Sequence, residues 1–262
     1  MPTDSDDDGK SFRRLIIKAY RAFLLLSRAD NESLPLFQIL HNKVYGNPLR
    51  GRFAYALYHW LTQHGAPKRQ LPPEFFEQQL PFILEVIISV QYYHNQILDR
   101  KGGVTTHAAI NDNLIMGNLL KDQLYRYIEH TALDEAGRVE LRKSVRAIFE
   151  YVDIGQYIEK SCNTFEAYRS GQWSHPFDYQ LDAFIDGECL QEVIDIVQRV
   201  HPIERQDYLR IYLQRIYLTN AALFKITARL IAGLLEVEPE AKNQVVKFAT
   251  LFGIMQQVVN DN

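Results

Sequence analysis

Apolar residues recur along this chain at intervals of three and four, the spacing of helices that bury one face. The clearest run covers 84–99. Leu84, Ile87, Ile88 and Gln91-Tyr92 make one buried stripe, and Asn95 and Asp99 then leave the same helix four residues apart. The same periodicity predicts helices at about 11–28, 33–43, 50–63, 74–99, 106–130, 134–168, 185–199, 204–234 and 238–262. Turn signals separate them at Asn47-Pro48, Leu71-Pro72-Pro73, Gly102-Gly103, Ser170-Gly171 and His201-Pro202. Pro81 is expected to split or kink the fourth helix. After it only Pro176, Pro202 and Pro239 remain, so the later chain is free to form long helices. No alternating strand pattern, repeat or low-complexity linker emerges. The pattern predicts an all-α protein, residues 1–262 forming one domain. It is a single large helical bundle around a central apolar cavity, with 1–10 as a flexible acidic tail.

Composition narrows this picture. With 47% hydrophobic residues and a formal charge of -3, the chain reads as a soluble globular protein with no electrostatic case for nucleic acid. Two cysteines, Cys162 and Cys189, make neither a disulfide framework nor a zinc cluster, so a reducing cytoplasm is the expected location. No apolar run reaches the roughly 18 residues of a transmembrane helix. The first amphipathic segment is interrupted by Lys18 and Arg21, unlike a signal peptide.

Several eye-catching features have plain readings. Asp4, Asp6, Asp8 and Gly9 imitate the start of a calcium loop, but Leu15 stands where a bidentate glutamate is needed. Gly9-Lys10-Ser11 imitates a phosphate loop without its upstream glycine. The histidines form no i, i+4 metal pair. The Tyr92-Tyr93 and Phe75-Phe76 pairs lack basic neighbours and read as core rather than as a stacking platform.

Read together in chain order, several segments carry a resemblance. Gly46-Asn47-Pro48-Leu49-Arg50-Gly51-Arg52-Phe53 is followed by Glu85, then by His94-Asn95-Gln96-Ile97-Leu98-Asp99-Arg100-Lys101-Gly102. Asn113 to Leu119, Gly171-Gln172, Thr219 to Phe224 and Phe252 to Asp261 complete the set. This order resembles the trans-isoprenyl diphosphate synthases (polyprenyl synthetases), over roughly residues 46 to 262. The resemblance implies a protein that condenses an allylic diphosphate with isopentenyl diphosphate through metal-assisted ionisation. Magnesium would lie at Asn95, Gln96, Asp99, Asn260 and Asp261, with Asp99, Asp261 and Gln257 as the catalytic set. Arg50, Arg52, Arg100, Lys101, Thr219 and Gln172 would meet the diphosphates, and Val90 and Gln91 would form the wall that sets product length. His94 would be a packing or supporting residue.

The departures from the family pattern are chemical. The leading aspartates of its first metal segment read Asn95 and Gln96. Asn118 and Asn260 also replace acids, Leu49 and Thr219 replace lysines, and Ile88 replaces a polar residue. Amide oxygens coordinate magnesium without neutralising it, so weaker binding or fewer ions is expected. Three readings follow: an active prenyltransferase, a class I terpene cyclase on the same fold, or a non-catalytic isoprenoid-binding subunit. The partners implied are the two diphosphates and a second subunit, in a homodimer or a heterodimer with an active synthase. Asp99 and Asp261 are expected to face each other across one apolar pocket.

Overall fold

The computed structural model describes residues 5–27, 35–99, 104–161 and 212–261, together with 191, 194, 195, 198 and 199. Its helices are α1 (Ser5–Leu26), α2 (Pro35–Tyr45), α3 (Leu49–His64), α4 (Leu80–Asp99), α5 (His107–Ile128), α6 (Glu135–Ser161), α7 (Ala222–Leu234) and α8 (Pro239–Asn260). Wide π turns, Phe75–Gln79 and Tyr217–Ala221, lead into α4 and α7. Among the described residues there is no strand, so the all-α expectation holds. None of these helices is long and apolar enough to cross a membrane.

The chain forms two compact units. One comprises Met1–Lys143 and Ile231–Val237, the other Ser144–Leu230 and Glu238–Asn262.

In the first unit, α4 packs against α5, α3 and α2. Phe12, Ile16, Tyr20 and Phe23 line the buried face of α1 at spacings of three and four. Phe23 sits at the centre of an aromatic cluster, its ring 5.3 Å from Phe82, 5.7 Å from Tyr127 and 6.0 Å from Phe37. Edge-to-face and tilted rings of this kind add about 0.5–1.5 kcal/mol per pair beyond area burial. Phe75 and Phe76 are fully buried here, whereas Tyr93 is buried and its neighbour Tyr92 is 45% exposed beneath Lys43.

Pro81 neither splits nor ends its helix. Proline lacks the N–H that would bond the carbonyl four residues earlier, and its ring crowds that carbonyl. The wide turn Phe75–Gln79 precedes it, and Leu80 N–H reaches back five residues to Phe75. The helix thus absorbs the proline by widening one turn. Thr106 opens α5, its Oγ1 accepting from Ala109 N–H at 3.2 Å. Asp134 opens α6 in the same way, accepting from Gly137 N–H at 2.8 Å. Arg142 then ties Glu129 to Glu135, at 2.7 and 2.8 Å.

In the second unit, Leu213, Ile216, Tyr217, Leu218, Ala221 and Ala222 pack against Ile254 and Val258 of α8. Gly253 makes the approach possible: a Cβ there would stand 2.6 Å from the Ala221 Cα. Ile254 and Val258, four apart, continue the buried face of α8 beyond Gly253.

The observed helices start and stop within a few residues of expectation, with one informative exception. Residues 5–10 are the first turns of α1 and not a tail. The expected helix at 185–199 and the beginning of the one at 204–234 lie largely outside the described residues, as does the end of 134–168.

Candidate functional site

The polar end of α4 emerges from an apolar body. Ile83, Leu84, Val86 and Ile87 are sealed in the core, and Val90 is enclosed by protein at 0% exposure. Gln91 is buried too, and its Nε2 has no hydrogen-bond partner among the described residues. One turn later the helix opens: Asn95 is exposed, and Gln96 and Asp99 are half-buried. The last turn of α4 therefore offers one carboxylate and two amides to the same neighbourhood. Arg100, Lys101 and Gln172 lie outside the described residues.

Arg50 and Arg52 occupy the first turn of α3, Arg50 half-buried and Arg52 exposed. Glu85, buried within α4, reaches this turn from 34 residues away. Its Oε1 accepts from Gly51 N–H at 2.9 Å, and its carboxylate also accepts from the Arg50 N–H. A helix N-terminus attracts an anion because its first N–H groups lack partners inside the helix. Here the anion is supplied by the protein itself. Burial pushes the Glu85 carboxyl above its ordinary value, with the Gly51 N–H and the charges of Arg50 and Lys43 opposing it. Burial also lowers the Arg50 guanidinium, against the pull of Glu85. Arg50 thus faces an internal carboxylate, where the resemblance had it meeting a diphosphate. Gly51 fits because a Cβ would meet the Pro81 carbonyl at 3.0 Å.

In the second unit, Thr219 lies within the wide turn, its Oγ1 donating to the Arg215 carbonyl at 2.8 Å. The neighbouring Asn220 is buried, and its Nδ2 donates to Gly253 O and Gln256 Oε1, both at 2.7 Å. These bonds clamp α8 to the segment leading into α7. At the end of α8, Asn260 is exposed, and Asp261 is the C-terminal cap of the helix.

Asp261 is heavily engaged. Gln257 Nε2 donates to its Oδ1 at 2.7 Å. Arg215 Nη2 and the Tyr212 hydroxyl both donate to its Oδ2, at 2.7 and 3.0 Å. The Arg215 guanidinium also lies over the Tyr212 ring, 5.1 Å from its centre. Burial first, and then the Asp261 charge, push the Tyr212 phenol up to about 12. Arg215 and Tyr212 were missed in the sequence because their partner is more than forty residues away. The one local signal is that Arg215 stands a helical turn before Thr219.

The two helix ends differ as metal sites. Magnesium is often held by one or two carboxylates plus substrate phosphates, and Asp99 is the one carboxylate in the last turn of α4, beside the amides Asn95 and Gln96. Asp261 does not fit: protein donors already occupy both its oxygens, and Asn260 adds no charge. Among the described residues no group of three or more His, Cys, Asp or Glu side chains comes together to hold a metal. Asn118, a further position where the resemblance replaces an acid, is exposed on α5. Asp99 and Asp261 belong to different units. Neither the models of known protein families nor the characterised proteins compared with this chain gave a match.

Proposed function

We propose that this chain is a prenyltransferase-like protein that takes an allylic diphosphate and isopentenyl diphosphate, with magnesium at the end of α4. The observation that carries the reading is where the resembling segments fall. Asn95, Gln96 and Asp99 fill the last turn of α4, and Thr219 and Asn220 fall in the wide turn before α7. Gln257 and Asp261 fill the last turn of α8. Each is a polar stretch beside a buried apolar face, the body of α4 and the Val245, Ala249, Ile254 and Val258 stripe of α8. Asp99, Asn95 and Gln96 would hold the ion, and a bound magnesium would offset the negative charge of the departing diphosphate. Exclusion of water by the apolar body of α4 would protect a carbocation from capture. A homodimer, or a heterodimer with an active synthase, belongs to the same proposal.

A second reading, a non-catalytic isoprenoid-binding subunit, is favoured by the engagement of Asp261 with Arg215 and Tyr212. Incubation with magnesium and labelled allylic diphosphate, with and without isopentenyl diphosphate, separates the readings. An elongated diphosphate is the expected product. A hydrocarbon or alcohol from the allylic substrate alone would indicate a cyclase, and binding without turnover would indicate the subunit. In the catalytic case Asp99→Asn should lower kcat/KM by at least about 100-fold, because no carboxylate would remain on that helix end. Full activity in Asp99→Asn would end its assignment as the metal-holding residue.

A further inference from the structure

We infer that Arg215 is the cation serving Asp261, so that the end of α8 carries a built-in guanidinium where the proposed function would otherwise require a magnesium ion. This rests on that reading, since only there is the end of α8 a metal-facing segment.

Three features make the arrangement a built one. The carboxylate is engaged on both oxygens, with Gln257 on Oδ1 and both Arg215 and Tyr212 on Oδ2. The guanidinium is held by the face of the Tyr212 ring as well as by the carboxylate. The backbone carrying it is registered to α8 by the two Asn220 bonds and by the close approach at Gly253. The Arg215 and Asp261 side chains retain 23% and 24% of their exposure, so the pair is partly shielded from screening.

A guanidinium stays charged at every physiological pH and cannot diffuse away. A magnesium ion approaching Asp261 would have to displace charge-assisted hydrogen bonds and face the positive charge of Arg215. Among the described residues it would gain one carboxylate in return. The metal requirement of the protein is thereby confined to the end of α4. Among the described residues, the carboxylate of Asp261 is matched by the Arg215 guanidinium beside the neutral Asn260.

Metal alone tests this, without substrate or turnover. Thermal unfolding would be followed in magnesium chloride against sodium chloride of matched ionic strength. Magnesium should raise the midpoint of Arg215→Gln by about 2 °C more than that of the wild type, because the freed carboxylate becomes a ligand. The excess should vanish in Arg215→Gln with Asp261→Asn, and should be absent from Arg215→Lys, which keeps the charge. Equal shifts in the wild type and Arg215→Gln would overturn the inference. Should Arg215→Gln fail to fold, manganese binding read by water relaxation decides. An affinity in Asp261→Asn within twofold of the wild type supports the inference, and a loss of threefold or more overturns it. An inactive protein that passes these tests would sink the proposed function alone, and an active one that fails them would sink this inference alone.

Discussion

Two carboxylates in this protein stand near arginines and serve different ends. Glu85 is 1% exposed and works inside the first unit, where it faces Arg50 and caps α3. Asp261 sits at the rim of the second unit, where Arg215 and Tyr212 reach it from one neighbouring segment. The buried carboxylate joins two helices, so its loss leaves the backbone N–H groups of Arg50 and Gly51 without their acceptor in a poorly solvated place. The peripheral pair keeps about a quarter of its side-chain exposure, so water can take over part of what the loss of Asp261 removes. Depth, and not the identity of the partners, decides which pair the fold depends on.

The sharpest way to break this contrast is to remove each carboxylate. Glu85→Ala should destabilise the protein by about 3–5 kcal/mol in denaturant unfolding. A cost no larger than that of Asp261→Ala would show that burial does not separate the pairs. The pH dependence gives a second view. A carboxyl whose pKa is raised by folding contributes stability that is whole below its unfolded value and is lost as pH rises through the folded value. Stability should therefore fall as pH rises from about 4.5, the ordinary value for Glu85, through its raised folded value. Glu85→Gln should flatten this slope while keeping an oxygen for Gly51 N–H, as midpoints measured across the acid range would reveal. Arg215→Gln in the absence of metal should cost no more than about 1 kcal/mol. Gln91→Leu is the smallest change and takes the contrast to its limit, a buried amide nitrogen with no partner among the described residues. Replacing it should leave stability unchanged or raise it by up to about 1 kcal/mol, read as the midpoint of urea unfolding.

Helix placement was legible because it rests on local periodicity and punctuation. The pattern places a helix at 50–63 and the structure has Leu49–His64; Thr106 and Asp134 mark the starts of α5 and α6 as short polar caps should. Pro81 was a correct warning with the wrong consequence. Whether a helix breaks or widens depends on how firmly its neighbours hold it, and Phe75 and Phe76 are anchored in the core. The candidate site was legible only as a sequence of side-chain types. Nothing local announces that Glu85 serves the start of α3, or that Asp261 is matched by Arg215, because both links join distant stretches of chain. Asn95, Gln96 and Asp99 could be placed on one helix end from spacing alone, since that relation is local.

The wide turn at Tyr217–Ala221 has a consequence best stated as angular phase. An α-helix advances about 100° per residue, and a π turn accommodates one residue more than the regular spiral would. Residues 212–216 are therefore rotated, relative to α7, away from where an uninterrupted helix would carry them. The bearing of the Arg215 guanidinium is set by this offset. Tightening the turn to a regular α-helix with every residue kept would change no charge, yet it would swing Arg215 roughly a quarter of the way around the axis. The bearing of the cation at the end of α8 is thus set by the width of one turn as much as by any side chain.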